Sequence, residues 1–194
     1  MYSFYGIYSS CRDAAWRTQL DFNVNALPVQ VIGIARMAGI RVLKNDAVSE
    51  LKPGELGVSI YDGSSWTIIY DERLSVPDAR ITVAHELGHI FLGHAYKYAG
   101  CRFDSDRGEN GSKLKIEREA DMFALRLLTP ACVLHELHIT DAHGIAALCG
   151  IPLAAARDRA RRMKVLENRC RFYTSPLERQ VIGCFDDFVH TFYQ

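Results

Sequence analysis

The stretch Val83–Ile90, which reads Val-Ala-His-Glu-Leu-Gly-His-Ile, constrains this chain more than any other segment. His85 and His89 are four residues apart, so a helix places both imidazoles on one face, within reach of a single metal ion. Glu86 projects about 100° round the helix from His85, beside the metal rather than on it. This position suits a base that takes a proton from the attacking water. An apolar arc on the opposite side would pack against a core: Val83, Ala84, Leu87, Ile90 and Phe91.

The alternative is a helix that carries two surface histidines and no metal. A third ligand elsewhere in the chain would distinguish the metal site from this alternative. A catalytic zinc site takes three protein ligands and leaves one position for water. A third histidine six residues after the second would fall at Ala95, and His94 is off by one. The third ligand must therefore come from another segment.

A helix predicted over residues 114–128 offers carboxylates for that place. Its apolar arc contains Ile116, Ala120, Phe123, Ala124, Leu127 and Leu128. Glu117 and Asp121 lie at the edge of the arc, one turn apart, whereas Glu119 falls on the polar side. The projection favours Glu117 as the ligand, and Asp121 is well placed to accept the second N–H of a zinc-bound histidine. A solvated helix edge is the alternative for both residues.

Strands are predicted before these helices and further helices after them, which indicates the α+β class. The predicted strands cover residues 40–43, 55–61 and 65–70, with a hairpin turn at 62–64. Other helices are predicted at 10–20, 28–37, 77–92, 141–149, 153–164 and 175–192, and a loop at 97–113.

The composition excludes several classes of protein. The 194 residues carry 23 acidic and 23 basic side chains, so no overall field attracts nucleic acid or membrane. The longest weakly polar stretch, residues 24–35, is too short to span a bilayer. The N-terminus does not resemble a signal peptide, and six cysteines occur without a CxxC pair. We therefore expect a cytoplasmic protein with reduced thiols and no cysteine-based zinc site.

Residues 141–164 could form a helix-turn-helix. Ala146 and Gly150 suit the tight packing and turn of that motif. Between Arg157 and Arg171 there are seven bases and two acids, so a DNA-binding interpretation is available. With zero net charge, we favour the alternative of a structural helix pair with a solvated basic face.

Together these motifs resemble the ImmA/IrrE family of metallopeptidases. The family pattern is an HExxH helix, a variable loop, then E-x-x-A-(N/D)-x-F-A and L-L-x-P. The last two elements match Glu117–Ala124 and Leu127–Pro130, with Thr129 where the family often has Met. The resemblance covers about residues 28–165. It implies a minimal zincin fold with a gluzincin-like third ligand, which maps to Glu117, and a cytoplasmic protease that cleaves helix-turn-helix repressors of phages, mobile elements or stress regulons. It also implies that the last strand before the active-site helix, here 65–70, is the edge that pairs with an extended substrate. An ordinary sheet strand is the alternative.

This comparison divides the chain into an N-terminal extension (1–27), a zinc metallopeptidase core (28–135) and a helical C-terminal region (136–194). Two other functions compete with a Zn²⁺ protease. One is a DNA- or repressor-binding regulator with a structural or vestigial zinc site, and the other is a toxin–antitoxin-like partner that binds a repressor without cutting it. Glu86 favours the protease, since a non-catalytic site needs no base there. The sequence does not assign the oxyanion donor. A structural or surface role is favoured for each of the candidates Tyr70, His94, His135, His138 and His143.

Overall fold

A computed structural model describes the backbone of residues 4–94 and 110–194, and the side chains of residues 11–94 and 115–194. The first half contains α1 (Phe4–Asp21), α2 (Val31–Met37), β1 (Arg41–Lys44), a 3₁₀ turn (Asn45–Ala47), β2 (Gly57–Tyr61), β3 (Trp66–Tyr70) and α3 (Val76–Phe91). Helices follow: α4 (Asn110–Leu128), α5 (Ala131–Glu136), α6 (Ala142–Cys149), α7 (Leu153–Asn168), α8 (Pro176–Cys184) and α9 (Asp186–Phe192). The predicted α+β class, with a small sheet among many helices, is confirmed.

The sheet places β3 at its centre, in the order β1-β3-β2. β1 runs parallel to β3, with Val42 opposite Ile68, and β2 runs antiparallel to it, with Ser59 opposite Ile68. Residues 67–69 are all buried, as expected for a strand that is paired on both sides and covered on both faces. The prediction that this strand forms the substrate-binding edge is therefore wrong, because β1 and β2 occupy both of its edges.

α3 begins one residue before the predicted Pro77. The Ser75 hydroxyl accepts a hydrogen bond from the backbone N–H of Asp78 at 3.2 Å, which caps the helix. Pro77 fits the first turn because backbone N–H groups there have no hydrogen-bond partner within the helix, so the N–H that proline lacks is not needed. These local signals fix where the helix starts, and hence which face carries the two histidines.

A tight turn at Gly93 ends α3. Gly93 adopts φ +69°, in the left-handed region that glycine tolerates. Its N–H bonds to the Ile90 carbonyl at 3.1 Å, and the N–H of His94 bonds to the His89 carbonyl at 3.0 Å. This pair of bonds is a Schellman motif, and it folds His94 back over the last turn of the helix.

α4 packs between α3 and α1. It starts at Asn110, earlier than predicted, so residues 110–113 belong to the helix; residues 97–109 of the predicted loop lie outside the described residues. The apolar arc is buried as expected, and its fully buried members are Ala120, Phe123, Ala124, Leu127 and Leu128. On the α1 side, the Gln19 amide donates to the Leu127 carbonyl at 2.8 Å, which satisfies part of the α4 end near Pro130.

Several helix boundaries differ from the predictions. α1 is longer than residues 10–20, α2 begins at Val31 rather than Pro28, and α5 follows directly on Pro130, where only a stop was predicted. The helix predicted over 175–192 is divided at Phe185, which turns fully into the core. α6 and α7 form the expected pair, joined through Gly150 at φ +58°.

The described cysteines are free thiols: Cys11, Cys132, Cys149, Cys170 and Cys184. Burial raises the pKa of the Cys132 and Cys149 thiols to about 12, so both stay protonated near neutral pH. Cys101 lies outside the described residues. Within the described ranges, none of the helices has the length and apolarity needed to cross a membrane.

Candidate metal centre

α3 presents His85 and His89 on one face, one helical turn apart. Their Nε2 atoms are 2.9 Å apart. The His89 side chain is 3% exposed and that of His85 is 21% exposed. The pair is therefore closed on the His89 side and accessible to solvent on the His85 side.

α4 brings Glu117 to this pair of histidines. Its Oε2 atom lies 3.2 Å from Nε2 of His85 and 3.7 Å from Nε2 of His89. Ligand atoms of the three residues lie within 4.8 Å of one another and form a group that could hold a metal ion. Glu117, and not Glu119, is the carboxylate that faces both imidazoles.

The separations within this group fit a tetrahedral metal ion. Zn²⁺ binds imidazole nitrogen and carboxylate oxygen at about 2.0–2.1 Å, which sets the ligand atoms of a tetrahedral site about 3.3 Å apart. The three separations here, 2.9, 3.2 and 3.7 Å, lie around that length. Two imidazoles and one carboxylate are also a donor set that suits zinc.

A close contact between α3 and α4 allows the three side chains to meet. A Cβ atom added at Gly88 would lie 3.1 Å from the Cα of Ala120 and 3.2 Å from its carbonyl oxygen. Without that atom, the two helix backbones approach more closely than ordinary side chains permit. Glu117 lies on the same side of α4 as Ala120, three residues earlier, and thereby reaches the histidines.

Asp121 contacts the other ring nitrogen of His85. Its Oδ1 lies 2.8 Å from Nδ1, although 70% of the Asp121 side chain is exposed. Burial disfavours the charged form of His85, but the hydrogen bonds with Asp121 and Glu117 raise its pKa to about 10. Hydrogen bonds from His85 and His89 hold the pKa of Glu117 well below its usual range. A histidine ligand must be a neutral imidazole, so a metal ion and a proton would compete for Nε2 of His85.

Glu86 lies on the inner side of the group, next to β2. It is 7% exposed, and this burial raises the pKa of its carboxyl group against the opposing effect of His89 and His85. β2 passes close by because residue 57 is glycine: a Cβ there would lie 2.6 Å from Cγ2 of Thr82, too close for a normal contact, and 3.4 Å from Oε1 of Glu86. Ser59 lies two residues after Gly57, on the same face of β2, and is buried.

A family profile described as the IrrE N-terminal-like domain, Peptidase_M78, matches residues 35–161, about two thirds of the chain. The chain belongs to this family. The match contains the sheet, α3, α4 and every residue of the metal centre, and it ends within α7. It confirms the resemblance to the ImmA/IrrE family and supports a metallopeptidase of that type. A comparison with curated proteins gives no match.

Within this family domain, Glu119 does not lie where it was predicted, and its side chain contacts His94. Glu119 was expected on the polar side of α4, but its side chain is 17% exposed and its Oε2 lies 3.0 Å from Nε2 of His94. Nδ1 of His94 lies 3.1 Å from Nδ1 of His89. Both ring nitrogens of His94 are thus engaged behind His89, so His94 is not placed to act as an oxyanion donor.

The other oxyanion candidates lie in different surroundings. Tyr70 pairs with Gly57 in the sheet, on the face toward α3, and stays a candidate. His135 hydrogen-bonds Glu167 at 2.7 Å and stacks on Phe172, so its ring holds the end of α7. His138 and His143 are exposed residues beyond α4.

Two contributors to the site were not predicted from the sequence: the β2 residues beside Glu86, and the pair His94–Glu119. Signals for both exist. A glycine inside a strand pattern, such as Gly57, indicates the close approach of another element. Gly93 after the last helical residue indicates a turn that brings the next side chain back onto the helix. Neither signal identifies the partner, which lies far away in the sequence.

We expect Gly88→Val to destabilise the protein, because the added methyl groups would meet the backbone of Ala120. Overpacking of this kind lowers the free energy of unfolding by about 1–3 kcal/mol. Gly183 is the matched control, since a Cβ there meets nothing within 4 Å. Gly183→Val should change stability by less than about 0.5 kcal/mol. Urea denaturation measures both, and equal midpoints for the two variants would contradict the packing described for α3 and α4.

Proposed function

We propose that the chain is a cytoplasmic zinc-dependent endopeptidase that cleaves a helix-turn-helix transcriptional repressor and so relieves repression. The proposal rests on one observation: ligand atoms of His85, His89 and Glu117 lie close together beside the buried carboxylate of Glu86. In this proposal the first three residues hold Zn²⁺, Glu86 is the general base, and Asp121 orients His85. The class of repressor and the cytoplasmic location are supported by the resemblance to the ImmA/IrrE family.

Glu86 performs the proton transfers of the reaction. Bound zinc supplies a water molecule of lowered pKa and polarises the scissile carbonyl. The Glu86 carboxylate takes a proton from the attacking water and returns it to the leaving amine. Asp121 holds the His85 ring with Nε2 turned toward Glu117.

The arrangement fits a minimal zincin of the gluzincin-like type, in which one helix supplies two histidines and the next supplies a glutamate. β3 is central, so we place the substrate on β2, which passes beside Glu86 and pairs only with β3 among the described strands. An extended peptide would add its backbone hydrogen bonds to the outer edge of β2. This geometry would bring a scissile bond near the base.

The alternative is a DNA- or repressor-binding regulator whose zinc site is structural or vestigial. Exposed bases on α7 at helical spacing, Arg157, Arg161 and Lys164, support it. Two contacts weaken it. Arg159 is 5% exposed, and its guanidinium donates to a backbone carbonyl at the end of α4. Arg161 forms an ion pair with Asp158, so the basic face is smaller than the sequence indicates.

The proposal predicts one tightly bound zinc ion per chain, which Glu117→Ala should lose. The variant retains two imidazoles, fewer than the three protein ligands of a catalytic zinc site. Arg118→Ala, at the exposed neighbouring position, is the control. Elemental analysis after dialysis should find zinc in the wild type and the control only. Zinc retained in Glu117→Ala would assign the third ligand to another residue.

Glu86→Gln should keep zinc, fold and substrate binding but lose cleavage, because an amide cannot accept the proton from the attacking water. The expected loss in rate is about 10²–10⁴-fold. The assay incubates purified protein with each small helix-turn-helix protein found in the reading frames that neighbour its gene. Discrete fragments should form with the wild type and with Glu72→Gln, a control at an exposed glutamate. Chelation should abolish cleavage, and added zinc should restore it.

Relief of repression in cells separates the protease from the binding alternative. Cells carrying Glu86→Gln should keep the repressor intact and the promoter silent. If this variant relieves repression as well as the wild type does, the chain acts by binding, and the proposed peptidase function is wrong.

A further inference from the structure

The turn that ends α3 places an additional histidine behind the metal centre. Through the Schellman motif at Gly93, the backbone N–H of His94 bonds to the carbonyl of His89, and the two imidazoles come into contact. In a Schellman motif, the residue that follows the left-handed position regularly packs against a residue in the last turn of the helix, which is His89 here. Here that packing joins two polar rings instead of two apolar side chains.

We infer that His94 and Glu119 are positioning residues for His89, forming a buried hydrogen-bonded chain that fixes the orientation of its ring. The inference rests on the proposed function, because it assigns His89 Nε2 to the metal. It concerns the two residues behind the ligand, and neither of them faces the space between His85, His89 and Glu117.

The distances and burial of the three side chains support this chain. Nδ1 of His89 lies 3.1 Å from Nδ1 of His94, and Nε2 of His94 lies 3.0 Å from Oε2 of Glu119. His94 is 1% exposed. In such a site these polar bonds are stronger than at the surface, and leaving one unmade is costly.

The proton positions in the chain follow from the role of His89. A ring that gives its Nε2 lone pair to a metal carries its proton on Nδ1 and donates from there. The Nδ1 atom of His94 must then accept, so His94 carries its own proton on Nε2 and donates it to the Glu119 carboxylate. A single arrangement of protons therefore satisfies the hydrogen bonds between these three side chains. The same arrangement turns Nε2 of His89 toward Glu117.

α4 supplies both glutamates from opposite sides of its contact with α3. On a helical projection Glu117 lies about 60° to one side of Ala120, and Glu119 lies about 100° to the other side. Ala120 faces Gly88 at the closest approach of the helices. One carboxylate therefore reaches the front of the histidine pair, while the other reaches the rear of His89 through His94.

The two histidines are consequently held in different ways. His85, which is partly exposed, is oriented directly by Asp121, a residue that is 70% exposed. His89, which is buried, is oriented through His94, which keeps the Glu119 charge one residue farther from the centre. Removing an orienting partner of a metal-bound histidine typically weakens metal binding about 10–100-fold.

The experiment compares zinc affinities of the full-length wild type, His94→Leu and His94→Asn by competition with a chromophoric chelator. Leucine keeps an apolar side chain of similar size but neither hydrogen bond, whereas asparagine keeps an amide oxygen near the place of Nδ1. We expect His94→Leu to bind zinc about 10–100-fold more weakly than the wild type, and His94→Asn to recover part of that loss. Circular dichroism checks the fold, and Glu119→Ala tests the outer member if His94→Leu does not fold.

A spectroscopic measurement distinguishes positioning from packing. The visible absorption of the cobalt(II)-substituted protein reports the ligand field at the metal. It should change in His94→Leu and return toward the wild-type spectrum in His94→Asn. A packing role alone predicts an unchanged spectrum and equal affinities for the wild type and His94→Leu, and this result would overturn the inference. So would a His94→Asn variant that binds zinc no better than His94→Leu. A wild-type protein that binds no zinc would instead overturn the proposed function.

Discussion

The candidate metal centre depends on the close packing of α3 against α4 at Gly88 and Ala120. Helix axes normally lie about 8–10 Å apart, at a distance set by the side chains between them. Here a glycine faces an alanine, and the ligand atoms of the two helices come within 3.7 Å or less. Because the packed interior around this contact deforms little, it holds the three side chains in position relative to one another.

The arrangement of the candidate site could be predicted because most of it follows from local spacing. Residues four apart on a helix share a face, which is enough to pair His85 with His89. The apolar arc of α4 fixes which side of that helix is buried, and so distinguishes Glu117 from Glu119. The one-turn spacing from Glu117 to Asp121 follows from the same periodicity, and Asp121 contacts His85 as the spacing indicates.

The order of the strands could not be predicted in the same way, because sheet order depends on pairing between segments that are distant in sequence. The almost continuous burial of Trp66–Tyr70 is the physical mark of a central strand. Residue types alone fit either an edge or a centre. The place of His94 depends on the left-handed turn at Gly93 together with a carboxylate from α4. The division at Phe185 reflects tertiary burial, since local propensity allows one continuous helix.

Anomalous diffraction at the zinc absorption edge, from crystals of the zinc-loaded protein, tests the assignment of the three ligands most directly. We expect one anomalous peak per chain, bounded by Nε2 of His85, Nε2 of His89 and the carboxylate of Glu117. Nδ1 of His89 should stay in contact with His94. A peak bounded by other side chains, or the absence of a peak between α3 and α4, would contradict the assignment of these three residues as the metal ligands.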